Sequence, residues 1–197
     1  MPIRLLTPHW LAATCALLVL ATSASAATAP SLDEAKGTYA IDGSSVIKFA
    51  VDQVGGGGIA GTFQKFSGHF KLDNQDIGKS VVQFVLYPES VVTGEPRVES
   101  FLRSSAVFDT EKFSKITFNS TTITRTGEDS ADIDGQLTAK GITRTERFHA
   151  KLTQWNRRTI GFEITGGIYR SRYNMDVGTP IYSNVVQFDL AVNGQRE

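Results

Sequence analysis

Cysteine is the first thing this chain lacks: it has one, Cys15, inside an apolar stretch near the N-terminus. Beyond that stretch there is no thiol, so disulfides and thiolate catalysis are excluded and the remaining fold must be held by its core alone. Histidine is nearly as scarce. Past residue 26 only His69 and His149 are left, neither with a His-x-x-x-His partner or a close carboxylate cluster, so the ligand sets that metals require are missing. Charge of one sign is lacking too. Downstream of residue 26 stand 19 Lys and Arg, all but Arg4, against 20 Asp and Glu, which is no footprint for nucleic acid or an anionic membrane.

Long hydrophobic runs are limited to one, Trp10 to Ala21, shorter than the roughly 20 residues of a permanent membrane-spanning helix. Arg4 precedes it, and Thr22-Ser23 and the small-residue pattern Ala24-Ser25-Ala26 follow. That is the order of a secretory signal peptide, with cleavage expected after Ala26. A single Arg4 points to Sec-type export rather than the twin-arginine route. Cys15 lies within the run instead of at its end, which argues against a lipid anchor. Residues 27–197 are then read as one domain, a length that suits an all-β fold with a substantial core.

What is present is alternation. Ala131, Ile133, Gly135, Leu137 and Ala139 face one way and Asp132, Asp134, Gln136, Thr138 and Lys140 the other. Past a turn at Lys140-Gly141, Phe148, Ala150 and Leu152 oppose Arg147, His149 and Lys151. Period two over this length marks antiparallel strands with one buried and one wet face. The same signal recurs at 38–42, 47–51, 59–72 (with a bend at a glycine), 80–87, 115–126, 158–165 and 184–193. Thr28 to Lys36 reads as a mobile lead-in, Arg97 to Ser104 carries helical spacing, and Asp109 to Phe113 a turn. About eight strands with short connections predict a sandwich or a barrel. The barrel is favoured, because the strands are long and lack the breakers that open edges need.

Several motifs invite chemistry and fail on geometry. Gly55-Gly56-Gly57-Gly58 marks a loop, but Gly78-Lys79-Ser80 has Asp73 where a phosphate loop needs its first glycine, and a strand follows where a helix should. Ser45-Val46-Ile47-Lys48 spells Ser-x-x-Lys, whose chemistry needs both residues on one helix face; on a strand they point apart. Asp132 and Asp134 share a solvated face. The aromatics say more: Phe49, Phe63, Phe66, Phe84, Phe118, Phe162 and Phe188 fall on the inward series of strands from all parts of the chain. Any one of them is ordinary core. As a bulky lining without converging polar groups, the set suits a long apolar ligand better than a substrate that must be oriented.

The combination Gly61-Thr62-Phe63, Phe66-Ser67-Gly68, Phe101-Leu102-Arg103-Ser104-Ser105, Phe108-Asp109, Ile116-Thr117-Phe118, Gly135-Gln136-Leu137-Thr138, Lys140-Gly141-Ile142-Thr143 and Tyr169-Arg170-Ser171 resembles the YceI-like family in order and spacing. The resemblance implies a single eight-stranded, antiparallel, lipocalin-like barrel with one short helix, exported to the periplasm. It further implies a protein that binds polyisoprenoid or similar amphiphilic chains and is not an enzyme. Both arginines of the family's helix motif stand at Arg97 and Arg103, whereas its Asp and His positions are Val98 and Phe101, its acidic-aromatic pair is Ala106-Val107, and its proline is Ser114.

The expected ligand is therefore an amphiphilic isoprenoid lipid or isoprenoid quinone, with no other cofactor, no metal, no nucleic acid and no permanent membrane span. Phe49, Val51, Phe63, Phe66, Phe84 and Leu86, with Phe101, Phe108, Phe118, Phe162 and Ile164, are the expected lining. Arg97, Arg103 and Arg170 are candidates for the polar head, with pairing to carboxylates as the alternative role. Two rival functions stay open: a filled barrel that acts as a non-catalytic envelope interaction protein, and an enzyme working on a lipid at the barrel mouth. A homodimer through an uncovered strand stays open as well.

Overall fold

The computed structural model describes residues 30–197; the expected signal peptide, residues 1–26, lies outside them. Eleven strand segments make one antiparallel sheet. Three pairs of segments are halves of single bent strands: β1 (Gly37–Ile41) with β2 (Val46–Asp52), β3 (Gly58–Phe63) with β4 (Phe66–Leu72), and β5 (Val81–Leu86) with β6 (Val91–Val92). The bends are matched across neighbours, since β2 pairs with β3, β1 with β4, β4 with β5 and β3 with β6. Then β7 (Ile116–Arg125), β8 (Ser130–Ala139), β9 (Ile142–Trp155), β10 (Thr159–Tyr169) and β11 (Val185–Arg196) follow one another round the sheet. β11 returns to β1 and β2, so eight strands close into the expected up-and-down barrel.

Local chemistry explains the details. Lys140 and Gly141 both have positive φ, 49° and 75°, the type I′ turn whose twist matches a two-residue hairpin, and the register from Ala139↔Ile142 to Ser130↔Lys151 is unbroken. A bulge at Ser120/Thr122 in β7 shifts the phase by one residue, so Ile123 rather than Thr122 points inward. The predicted helix is α1 (Pro96–Arg103), started by a proline whose φ is already helical. The bend expected at a glycine between 59 and 72 falls instead at Gln64-Lys65, whose amides donate to Ser90 O (3.1 Å) and Ser90 Oγ (2.9 Å).

The two ends differ. Where β1 begins, the described part of the expected mobile lead-in, residues 30–36, is instead packed down: Leu32 and Ala35 are buried, and the Leu32 amide donates to Glu128 O at 3.0 Å. Its apolar residues, unreadable by period in so short a stretch, cap the bore. Beside them Tyr39, fully buried, receives hydrogen bonds at its hydroxyl from Trp155 Nε1 (3.2 Å) and Arg196 Nη2 (2.8 Å) and donates to Lys36 O (3.0 Å). The other end is made of the β2–β3 loop, α1 and the segment after it, the Lys140-Gly141 turn and the long β10–β11 connection.

Candidate functional site

A cavity of about 280 Å³ runs inside the barrel, near the small end of the roughly 300–1,000 Å³ of small-molecule sites. It is long. Ala131 and Ala139 at opposite ends of β8 both line it, and eight residues of strand at ~3.3 Å, tilted ~40°, span about 20 Å along the axis. The bore stays open because aromatic rings lie flat across glycines of the wall. A β-carbon on Gly166 would meet Phe148 Cδ1 at 2.5 Å, on Gly194 Phe70 Cζ at 2.7 Å and on Gly61 Phe49 Cε1 at 2.9 Å, and one on Gly135 would collide with Phe118. Alanines at 131, 139 and 150 give further room.

Phe49, Val51, Phe63, Phe84 and Leu86, with Phe101, Phe108, Phe118, Phe162 and Ile164, line this cavity, as does Arg170. Phe66, next to the Gln64-Lys65 bend, does not: its ring stacks against Phe84, with centroids 6.3 Å apart, whereas Phe70 and Leu72 on the same face of β4 do line the cavity. Arg103 is not turned to the cavity either. It donates from Nε to Glu89 O (2.8 Å) and from Nη2 to Val91 O (2.7 Å), with Glu99 at 3.5 Å, and so fastens α1 to β6. Arg97 is exposed on the outer side of α1 and lies outside the lining.

Arg170 is the one charged side chain of the lining. It is 7% exposed, and its guanidinium donates to Ser183 O (2.8 Å), Met175 O (2.6 Å), Val177 O (2.8 Å) and Tyr182 O (3.1 Å). Burial pushes its pKa down while the nearby Asp176 carboxylate pushes it up; an arginine stays charged regardless. Four carbonyl dipoles thus hold a buried cation without a bonded carboxylate, and in doing so fold the β10–β11 connection over the mouth. That brings Met175, Val177, Gly178 and Tyr182 into the lining.

The sequence reading missed these residues, together with Leu32, Ile77, Leu102 and Val107, because they come from segments without period two. It also missed Glu146, inward-facing and buried, which accepts hydrogen bonds from Tyr173 Oη and Arg172 Nη1, both at 2.9 Å. Burial, then the bond to Glu146, pushes the Tyr173 hydroxyl's pKa up. This trio closes the wall beneath the β10–β11 connection, and none of its members touches the cavity. The only signal for Glu146 was a charged residue on the apolar side of an alternating strand.

The rejected motifs resolve as packing. Ser45 Oγ bonds the backbone of Asn193, as donor at 3.2 Å and acceptor at 2.9 Å, while Lys48 points out to solvent. His149 pairs with Asp132 at 2.8 Å on the wet face. Among the described residues there is no cluster of three or more potential metal ligands, and no helix is long and apolar enough to cross a membrane.

Comparison with known proteins agrees with this architecture. Protein YceI of Salmonella arizonae is 29% identical over 156 residues, covering 77% of this chain and 81% of that protein. The crystal structure of Burkholderia cenocepacia BcnA superposes with a TM-score of 0.72 at 25% identity, over 78% of this chain and 98% of the other. A polyisoprenoid binding domain from Saccharophagus degradans gives 0.67 at 16% identity, over 83% and 100%, a likeness of fold. The model of the YceI-like domain matches residues 39–194, from Tyr39 in β1 to Gly194 in β11 and so nearly the whole barrel, and the chain therefore belongs to the YceI-like family.

Proposed function

We propose that this protein binds a long apolar isoprenoid lipid or isoprenoid quinone inside its barrel and serves in the periplasm as a carrier, store or sequestering protein. The observation that carries this reading is the bore itself: long, lined almost wholly by carbon, with Arg170 as its one charge. A buried methylene contributes about 0.8 kcal/mol, so a chain of some twenty carbons would gain on the order of 15 kcal/mol before association and ordering costs. Tight binding then needs neither a metal nor a covalent bond. A filled barrel acting only through its surface would have no such space. An enzyme would need a pair of polar groups converging on the ligand, whereas the polar side chains of the lining are Tyr182 and Arg170, the latter already occupied by four carbonyls. The Saccharophagus domain, of like fold and described as polyisoprenoid binding, supports the ligand class.

Organic extraction of the purified protein followed by mass spectrometry tests the proposal. An isoprenoid chain should co-purify, or added polyprenol or quinone should be taken up in a one-to-one ratio. Repeated absence of lipid together with no uptake would overturn it.

A further inference from the structure

Hydrophobic side chains left in water are not spread evenly over this barrel. Among the described residues eight large ones are exposed, and five of them, Val54, Phe101, Tyr169, Val177 and Ile181, sit at the open end. These include the three most exposed: Val54 at 76%, Ile181 at 59% and Tyr169 at 55%. Val54 and Ile181 form one unit, because the Val54 amide donates to Ile181 O at 2.9 Å and Gln53 bridges to Tyr182. Gly55, Gly56 and Gly57 project beyond them into open space. Phe101 and Val177 are at once exposed and part of the cavity lining, so at these two residues apolar surface passes from the bore onto the rim. The opposite end is sealed by Leu32 and Tyr39.

From this continuity we infer that the rim is a docking face for a lipid bilayer surface, on which the barrel exchanges its ligand. The inference rests on the lipid-binding reading. A long apolar chain crossing water alone would expose every methylene that the bore and the bilayer both cover. A rim pressed into the interface lets the chain pass from one to the other without that exposure. Formal charge near balance leaves apolar contact as the driving term, so docking should not require anionic lipid.

Val54 and Ile181 do not line the cavity, which separates docking from binding. The test follows transfer of a fluorescent polyprenol from phosphatidylcholine vesicles to the purified protein, with farnesol uptake from solution and flotation with ligand-free vesicles measured alongside. For the unmodified protein the transfer rate should climb with vesicle concentration, and the protein should float with vesicles. In the double variant Val54→Asp/Ile181→Asp flotation should be lost and transfer slowed about tenfold or more, the loss of two apolar contacts, with farnesol affinity unchanged. A rate independent of vesicle concentration, equal rates for the two proteins, or no flotation of the unmodified protein would overturn the docking face. Failure to take up farnesol or polyprenol, with flotation intact, would instead overturn the lipid-binding reading.

Discussion

At one end of the barrel the chain is spent on closure: Tyr39, Trp155, Arg196 and Lys36 interlock through hydrogen bonds, Phe70 stacks on Tyr39 with centroids 5.3 Å apart, and Leu32 is tucked beneath. At the other end polar groups are equally well satisfied, but they hold loops rather than fill space. Arg170 gathers four carbonyls, and Lys140 Nζ reaches Asn174 O at 2.9 Å and Ala106 O at 3.4 Å, tying the hairpin turn to the segments on either side. The same inward alternation therefore yields a packed floor at one end and, above it, a cavity that reaches the other. What separates them is residue size: Tyr39, Leu152 and Ile160 pack the floor, whereas alanines and ring-covered glycines line the bore from Ala131 beside the floor to Ala139 at the mouth. Closure is thereby assigned to one end of the barrel, and access to the bore to the other.

The sharpest way to break this division is at the floor. Tyr39→Ala should cost about 3–5 kcal/mol, the price range of a large aromatic removed from a packed core, and lower the melting temperature by roughly 10 °C or more; urea denaturation followed by circular dichroism measures it. A cost below about 1 kcal/mol would show that the floor is not where the stability lies. Next in size, Arg170→Met should cost about 2–3 kcal/mol by leaving buried carbonyls without donors. It should also speed amide exchange across residues 174–184 while the strands stay protected. Arg170→Lys should not restore the loop, since an ammonium cannot reproduce the planar fork. Uniform exchange through the whole barrel would place Arg170 in the global core instead of a local clamp.

Much of this division could be read from the chain. Period two located the strands, and the inward phenylalanines located the bore, because a strand's alternation survives whatever the rest of the fold does. The lid could not be read that way: Met175, Val177 and Tyr182 reach the cavity only because Arg170, some residues earlier, collects the carbonyls of their segment. Of the arginines offered for a polar head, Arg170 lines the bore and Arg103 does not. Arg103 is bonded to backbone oxygens, a partner that no side-chain pattern reveals. Phe66 shows a third limit, as alternation gives the face of a strand but not which residue on that face packs against a neighbouring ring and stays out of the bore.

A subtler probe keeps both ends intact and narrows the bore. Gly166 has no positive φ, so alanine is acceptable to its backbone, but the added methyl would meet Phe148 Cδ1 at 2.5 Å and push that ring toward the axis. Gly166→Ala should cost about 1–3 kcal/mol of stability, and it should weaken lipid uptake about tenfold or more, since lost chain contacts convert at ~1.4 kcal/mol per decade. Titration with a fluorescent polyprenol measures the uptake. Unchanged affinity would mean that the ligand does not pass Phe148.

The smallest expected effect concerns the joint of α1 with the mouth. Glu99 accepts hydrogen bonds from the Thr93 amide at 2.9 Å and the Gly94 amide at 3.2 Å, and lies beside Arg103. The Thr93 hydrogen bond, aided by the Gly94 amide and Arg103, lowers its pKa below the ordinary value. A carboxylate with a depressed folded pKa stabilises the fold above its unfolded pKa, about 4.3, and this contribution disappears as pH falls through the folded value. Glu99→Gln keeps an acceptor for the two amides but removes the charge, so the variant should lose less stability than the unmodified protein between about pH 5 and pH 3. Urea midpoints across that range measure the difference, and parallel pH curves for the two proteins would show that the mouth joint is held by the geometry of α1 and β6 rather than by the charge on Glu99.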